Sequence, residues 1–149
     1  MAGAPTNTLP RELWSADVPN FAGRYVSFKD AFMRPKPVNR AVPVIIGGHT
    51  EAAARRAGRL GDGFFPGRGL PLDLIGIVRR TAREAGRDPA AVEITAGMPD
   101  DLAQLPEFAA AGVSRVLLPV TGVAGLARKV SGPQDLLGWR DTIERYATS

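Results

Sequence analysis

From Val42 onward, short apolar runs alternate with segments of helical periodicity, and this alternation limits the fold more than any other feature of the chain. The apolar runs predict strands, and the segments between them predict amphipathic helices joined by short loops. Strands separated by helices form parallel sheets with right-handed crossovers. The predicted strands are residues 44–47, 63–65, 92–96 and 114–120. The pattern therefore predicts an α/β fold of four strand–helix units, either a small doubly wound sheet or half of an eight-fold barrel.

The first and last of these strands carry continuous apolar runs, the first up to Ile46 and the last over 116–120, so we expect them to be buried on both faces. The helices between the strands carry capping signals. Thr50 is a suitable N-cap for a helix over Glu51–Leu60, which Gly61 ends, and its predicted inward stripe comprises Ala53, Ala54, Ala57 and Leu60. A longer helix runs from Pro71 to Gly86. Its predicted inward face comprises Leu74, Ile75, Val78, Ala82 and Ala85, with Arg79, Arg80, Arg83 and Glu84 on the other face.

Two further helical stretches are predicted nearer the end of the chain. One opens at Asp100 or Asp101 and ends at Gly112, and the other begins at Pro133. The apolar residues near one face of the last helix are Leu136, Leu137, Ile143 and Ala147.

Residues 1–42 differ from the rest because prolines recur through them and exclude long helices. A short helical turn is predicted at 11–14, and aromatic residues flanking Gly23 favour a small β-hairpin. Pro35–Val38 is predicted to be extended. The chain is therefore expected to consist of an irregular, Pro-rich arm over 1–42 and the strand–helix units over 43–149, in a single domain.

The composition restricts the class of protein. Hydrophobic residues make up 44% and charged residues 23% of the 149 residues, which is typical of a soluble globular domain. The apolar runs are too short to cross a bilayer and no signal pattern opens the chain, so we expect a cytoplasmic protein without membrane contact. With no Cys and one His, the sequence excludes a Cys-based or His-rich metal site.

The net charge of +4 raises the question of a nucleic-acid partner. The densest basic group is Arg55, Arg56 and Arg59, and no aromatic residues are interleaved with it, as stacking on bases would require. We therefore expect no nucleic-acid partner. A phosphate-bearing small ligand explains a mild positive excess equally well.

The main candidate site is the turn Gly47-Gly48-His49-Thr50, between the first predicted strand and its helix. Ligands of parallel α/β sheets bind in such loops, at the carboxyl ends of the strands. Glycines allow close backbone approach, and the helix start offers free N–H groups to an anion. Arg68 follows the second strand on the same rim and could meet an anionic group, or could be an exposed loop arginine. On these residues alone, a plain tight turn is the simpler interpretation.

Taken in order and spacing, motifs from about Leu13 to Val120 resemble the luciferase-like oxidoreductases. The motifs are Phe21-x-Gly23-x-Tyr25-x-x-Phe28, Pro35-Lys36-Pro37-Val38, Pro43-x-x-x-Gly47-Gly48-His49, Ala53-Ala54-Arg55-x-Ala57, Gly61-Asp62-Gly63-Phe64-Phe65-Pro66, Ala85-Gly86-Arg87-Asp88-Pro89 and Gly112-Val113-Ser114-Arg115-Val116. Each motif alone is weak, whereas the string is specific.

The resemblance implies a (β/α)8 TIM barrel that uses FMN or the deazaflavin F420, either as a monooxygenase or in hydride transfer with an organic small molecule. Gly47 and Gly48 with their neighbours match the family's cofactor-phosphate turn. The resemblance thus implies cofactor binding by Gly47, Gly48, His49 and Thr50, with Arg68 kept as a candidate from its position on the rim. It names no catalytic residue in this chain.

The matching motifs cover the C-terminal half of the family's barrel. The four units that precede the arm in other members, and carry much of the isoalloxazine contact, have no counterpart here. We therefore expect self-association into a whole barrel, or pairing with a separate chain that supplies the N-terminal half-barrel. The alternative is a non-catalytic half-barrel module or a truncated gene product without independent activity.

Overall fold

The computed structural model of the chain describes residues 8–67, 69–117 and 132–146. The described part of the N-terminal arm contains one helix, α1 (Thr8–Ser15), and a hairpin of two short antiparallel strands, β1 (Phe21–Ala22) and β2 (Ser27–Phe28). The rings of Phe21 and Phe28 stack across the hairpin with centroids 5.9 Å apart. Gly23 closes it, since its N–H donates to the carbonyl of Val26 at 2.9 Å. The predicted helical turn and hairpin are confirmed.

Side chains hold the arm together where regular structure is sparse. Lys36 Nζ donates to the carbonyls of Leu13 and Ala16, at 2.7 Å each, and so satisfies groups at the C-terminal end of α1. Arg40 donates to Asp17 at 2.7 Å. This hydrogen bond and the charge of Arg40 hold the pKa of the exposed Asp17 carboxyl below its ordinary value.

A parallel sheet of four strands follows the arm. Its strands lie side by side in chain order: β3 (Ile45–Gly47), β4 (Gly63–Phe65), β5 (Glu93–Gly97) and β6 (Arg115–Leu117). A doubly wound sheet would reverse its strand order at a switch point, whereas successive units of a barrel keep this consecutive order. The fold is therefore that of four successive units of a (β/α)8 barrel. The last three residues of the fourth predicted strand, 118–120, lie outside the described residues.

The helices are α2 (Glu51–Leu60), α3 (Leu72–Glu84), α4 (Leu105–Ala110), α5 (Pro133–Leu137) and α6 (Arg140–Tyr146). The predicted bounds of α2 are confirmed. A 3₁₀ turn over Leu102–Gln104 precedes α4, and the carboxylate of Asp101 accepts from the N–H of Ala103 at 2.9 Å. The single closing helix expected from Pro133 is two helices, separated at Gly138 and Trp139. No helix among the described residues is long and apolar enough to span a membrane.

The hydrophobic core lies between the sheet and the helices α2 and α3. Ile46, Phe64 and Ile94 fill the sheet side. The helices approach closely because their facing side chains are small, and a Cβ on Gly58 of α2 would lie 2.5 Å from the carbonyl oxygen of Val78. The buried residues of the two helices are Ala53, Ala54, Ala57, Gly58, Leu74, Ile75, Ile77, Val78, Thr81 and Ala82.

Burial on both faces was the wrong expectation for the first and last strands. Ile45 is 38% exposed and Leu117 is 44% exposed. Alternate residues of a strand point to opposite faces, and α2 and α3 cover only one of them. We call the other the open face, defined by Ile45, Phe65, Glu93, Arg115 and Leu117.

Three helix positions also differ from expectation. Ala85 is exposed because it is the C-cap of α3 and not part of its inward stripe. Arg79, expected on the outer face, is half-buried because its guanidinium donates to the carbonyls of Val92 at 2.8 Å and Gly112 at 3.3 Å. Leu60 is also only half-buried at the end of α2. The apolar residues Leu136, Leu137 and Ile143 of α5 and α6 are exposed, and Ala147 lies outside the described residues.

Candidate functional site

The turn between β3 and α2 has a backbone that requires glycine at position 48. Gly48 has φ +137°, a conformation that residues with a side chain rarely adopt, and a Cβ there would lie 2.8 Å from Cβ of Ala53. Its N–H donates to the carbonyl of Phe65 at 3.1 Å, so the turn is fixed to the end of β4. Position 48 therefore brings bare backbone to the rim of the sheet.

Gly47 is different because the fold does not demand it. A Cβ there would meet only the carbonyl oxygen of Phe65, at an ordinary 3.9 Å. The residue is exposed at the end of β3. Glycine at 47 thus leaves the rim open without being needed for the conformation of the chain.

Thr50 starts α2 as the sequence predicts. Its Oγ1 accepts from the N–H of Ala53 at 3.2 Å, and its carbonyl accepts from Ala54 at 3.0 Å. The N–H groups of Glu51 and Ala52 have no acceptor among the residues that the structure describes. Free N–H groups at the positive end of a helix dipole form a binding site for an anion.

Glu51 brings a negative charge to the same helical turn. Its carboxylate is paired with Arg55 of the next turn, with Oε2 and Nη2 2.8 Å apart. The pair is exposed to solvent, so its stabilising effect on the helix is small. The pairing holds the carboxylate of Glu51 beside Arg55. The positive charge of Arg55 thus reduces the repulsion that Glu51 would exert on an anion at the turn.

His49 links the turn to the loop that follows β4. Its Nδ1 lies 3.0 Å from the carbonyl oxygen of Pro66. A carbonyl oxygen only accepts, so Nδ1 carries the proton and donates. Together with the bond from Gly48 to Phe65, this contact holds two neighbouring rim loops side by side. The side chain of His49 is exposed.

Of the five candidate residues, the structure places Gly47, Gly48, His49 and Thr50 together at one corner of the rim. Arg68 lies outside the described residues. The two backbone carbonyls that hold the turn, those of Phe65 and Pro66, were not foreseen, since a carbonyl has no sequence signature beyond its position at a strand end. Within residues 8–67, 69–117 and 132–146, no group of three His, Cys, Asp or Glu side chains could hold a metal ion.

The sequence as a whole shows the family. The sequence model of the family described as luciferase-like monooxygenase matches residues 6–128. This range covers most of the chain, including the arm, the turn and all four strands. The chain belongs to this family.

Curated relatives that match the chain include F420-dependent glucose-6-phosphate dehydrogenases. That of Gordonia bronchialis is 39% identical over 90 residues, which are 57% of this chain and 26% of the relative. That of Tsukamurella paurometabola is 41% identical over 85 residues, 54% of this chain and 25% of the relative. The matched segment thus spans about a quarter of the length of these relatives.

Solved structures give the same fold. An F420-dependent secondary alcohol dehydrogenase, in complex with an F420–acetone adduct, is 26% identical with a TM-score of 0.53, covering 93% of this chain and 44% of that chain. The F420-dependent tetrahydromethanopterin reductase of Methanopyrus kandleri is 18% identical with a TM-score of 0.53, covering 59% and 26%. At that identity, the reductase supports the fold alone.

Proposed function

We propose that the chain supplies the cofactor-phosphate site of a luciferase-like oxidoreductase that works with F420 or FMN. The observation that carries the proposal is the turn from Gly47 to Thr50, with its bare backbone and the free N–H groups that follow. The names of the relatives support F420, and the resemblance to the family as a whole keeps FMN as the second possibility. The reaction is hydride transfer with an organic small molecule, or monooxygenation.

The residues of the turn suit a phosphate in three respects. Gly47 and Gly48 leave the backbone accessible, so phosphate oxygens can approach the N–H groups of Glu51 and Ala52. The hydroxyl of Thr50 accepts from Ala53 and keeps its own hydrogen to donate to a ligand. The second ring nitrogen of His49 is not used by the contact to Pro66. When bound, the flavin or deazaflavin would supply the redox chemistry, and this turn would hold its phosphate.

The open face explains why we propose a role within a larger barrel. In a closed barrel the inner face of each strand is covered by the inner faces of the others. Four further strand–helix units, from a second copy or from a separate chain with the N-terminal half-barrel, would cover Ile45 and Leu117. Those units would also bring the contacts to the isoalloxazine ring and the substrate, so we assign no catalytic residue here.

The test is titration of F420 and FMN into the chain, read by cofactor fluorescence. We expect Gly47→Asp to weaken binding by about tenfold or more, because it places a carboxylate beside the phosphate without a clash in the fold. Gly47→Ala is the matched control, and we expect it to bind more tightly than Gly47→Asp. Gly48→Asp should also weaken binding, but circular dichroism must accompany the titration because this substitution strains the turn.

Equal binding by the wild type, Gly47→Asp and Gly48→Asp would remove the site from this turn. Failure of the folded wild type to bind either cofactor would overturn the proposal for the chain and favour a non-catalytic half-barrel module.

A further inference from the structure

The hydrogen bond of His49 determines what its second ring nitrogen can do. Because Nδ1 donates to the carbonyl of Pro66, a neutral His49 carries its only ring proton there. Its Nε2 then holds a lone pair and can accept but not donate. Among the described residues Nε2 has no hydrogen-bond partner, and His49 is exposed.

An anion at the turn would meet His49 in one of two ways. With a neutral ring, Nε2 offers a phosphate oxygen within its reach only a lone pair, which repels that oxygen. With a protonated ring, Nε2 becomes a donor and the imidazolium adds a positive charge while the bond to Pro66 stays intact. The contact to Pro66 thus gives the two protonation states opposite effects on an anion.

We propose that His49 is a proton-linked ligand of the phosphate, so that the turn binds its anion more tightly when His49 is protonated. This inference rests on the proposed function and specifies which protonation state of that site takes up the ligand.

The other charged groups near the turn do not produce the same effect. On α2 these are Glu51 and Arg55, which are paired with each other at 2.8 Å. The neighbouring residues of β3 and of the loop after β4 are uncharged up to Gly67, and Arg68 lies outside the described residues. Asp73 of α3 and the carboxylates of Asp100 and Asp101 follow the ends of β4 and β5. Carboxylates in general change charge at lower pH and arginine at much higher pH, whereas imidazole is the kind of side chain that changes charge between about pH 5 and about pH 8.

The first measurement uses sulfate, whose charge is constant between about pH 5.5 and about pH 8 while that of an imidazole is not. We expect the affinity of the wild type for sulfate to be about fivefold higher at the lower pH, the effect of one added charge at an exposed site. His49→Gln puts an amide donor near the position of Nε2, and its affinity should not change with pH. His49→Asn retains a donor towards Pro66 but none at Nε2, and it should bind weakly at both pH values.

The second measurement follows His49 directly. It is the only histidine of the chain, so its ring C–H signals in a proton NMR spectrum need no assignment. Because linkage is reciprocal, saturating sulfate must move the midpoint of the His49 titration to higher pH. A midpoint that does not move, or a sulfate affinity of the wild type that is equal at both pH values, would overturn the inference.

The two proposals fail in different ways. If the wild type binds F420 or FMN but its affinity for sulfate is independent of pH, only the role of His49 is lost. If the folded chain binds neither cofactor nor sulfate at any pH, both the proposed function and the role of His49 are lost.

Discussion

Several residues of the motifs that resemble the family have a structural reason for their identity. Arg87 donates from Nη1 to the carbonyl of Gly58 and from Nη2 to that of Gly61, at 2.6 Å each, and so satisfies orphan carbonyls at the end of α2. Asp62 accepts from the N–H of Val44 at 2.8 Å and from Arg11 of α1, which connects the arm to the sheet. Arg87 and Asp62 are therefore motif residues whose contacts stabilise the fold, and their contacts among the described residues do not involve the candidate site.

Arg87 provides a test at this scale. We expect Arg87→Ala to lower the free energy of unfolding by about 2 kcal/mol, because it removes charged hydrogen bonds to half-buried carbonyls. The measurement is urea unfolding followed by circular dichroism. Arg83→Ala is the control, since Arg83 is exposed on α3 and has no partner among the described residues. Equal losses for both variants would show that Arg87 acts only through its charge.

Single residues were predictable where their role is local. Thr50 was predicted as an N-cap, and Asp101 as one of two residues that could open a helical stretch, because a helix start involves only the next few residues of the chain. Arg79 was placed on the outer face because helical periodicity cannot show that a long side chain reaches back to distant carbonyls. In the turn, glycine at 47 and 48 looks the same in the sequence, yet only Gly48 has a positive φ.

At the scale of elements, α2 and α3 lie close together because Gly58 of α2 has no side chain at the point of contact. At this point the backbone of α2 lies against the backbone of α3. A Cβ on Gly58 would lie 2.5 Å from the carbonyl oxygen of Val78 and 2.9 Å from the amide nitrogen of Ala82. Backbone atoms cannot rotate away, so the helices themselves would have to separate. The predicted inward stripe of α2 did not include Gly58, whose near neighbours belong to the other helix.

Two glycines in helices should respond oppositely to the same substitution. Gly58→Ala should lower the free energy of unfolding by about 2 kcal/mol or more, through overpacking. Gly76→Ala in α3 should raise it by about 0.5–1 kcal/mol, because alanine favours the helix and a Cβ there meets nothing within 4 Å. Thermal and urea unfolding of both variants give the comparison. A stabilising Gly58→Ala would contradict the close helix packing.

Elements were predicted well because the periodicity and capping signals of α2, α3 and the strands agree with one another. Their environment was predicted less well. An apolar strand was taken as covered on both faces, but the sequence of a strand does not say whether the second layer belongs to the same chain. Ile45 and Leu117 are exposed because no second layer from this chain covers them among the described residues.

At the scale of the whole molecule, the open face combines apolar residues on both outer strands with an ion pair that links β5 to β6. Ile45 and Leu117 lie on the two outer strands. Glu93 of β5 and Arg115 of β6 are paired at 3.0 Å, and Thr95 donates to Glu93 at 3.0 Å. A partner that covers this face would bury Glu93 and Arg115 as a pair whose charges neutralise each other. The partner would therefore need no charged residue opposite them. A second copy presents such a face.

We expect the chain to self-associate through the open face, as measured by sedimentation velocity. Leu117→Glu should shift the population towards monomer, because closure would bury the new carboxylate. Leu72→Glu is the matched control: Leu72 is similarly exposed, at 56% against 44%, but lies on α3 outside the barrel. A folded, strictly monomeric wild type would count against self-association and favour a separate chain as the partner.

The consecutive order of β3, β4, β5 and β6 has a consequence for the way the chain acquires its structure. The strands β4, β5 and β6 each pair with the one made just before them, so every crossover of this sheet closes a loop between neighbours in the chain. A strand leaving the ribosome finds its pairing edge already present, and no later segment has to be inserted between earlier ones. Assembly can therefore proceed by stepwise addition in the direction of synthesis, with β6 as the growing edge.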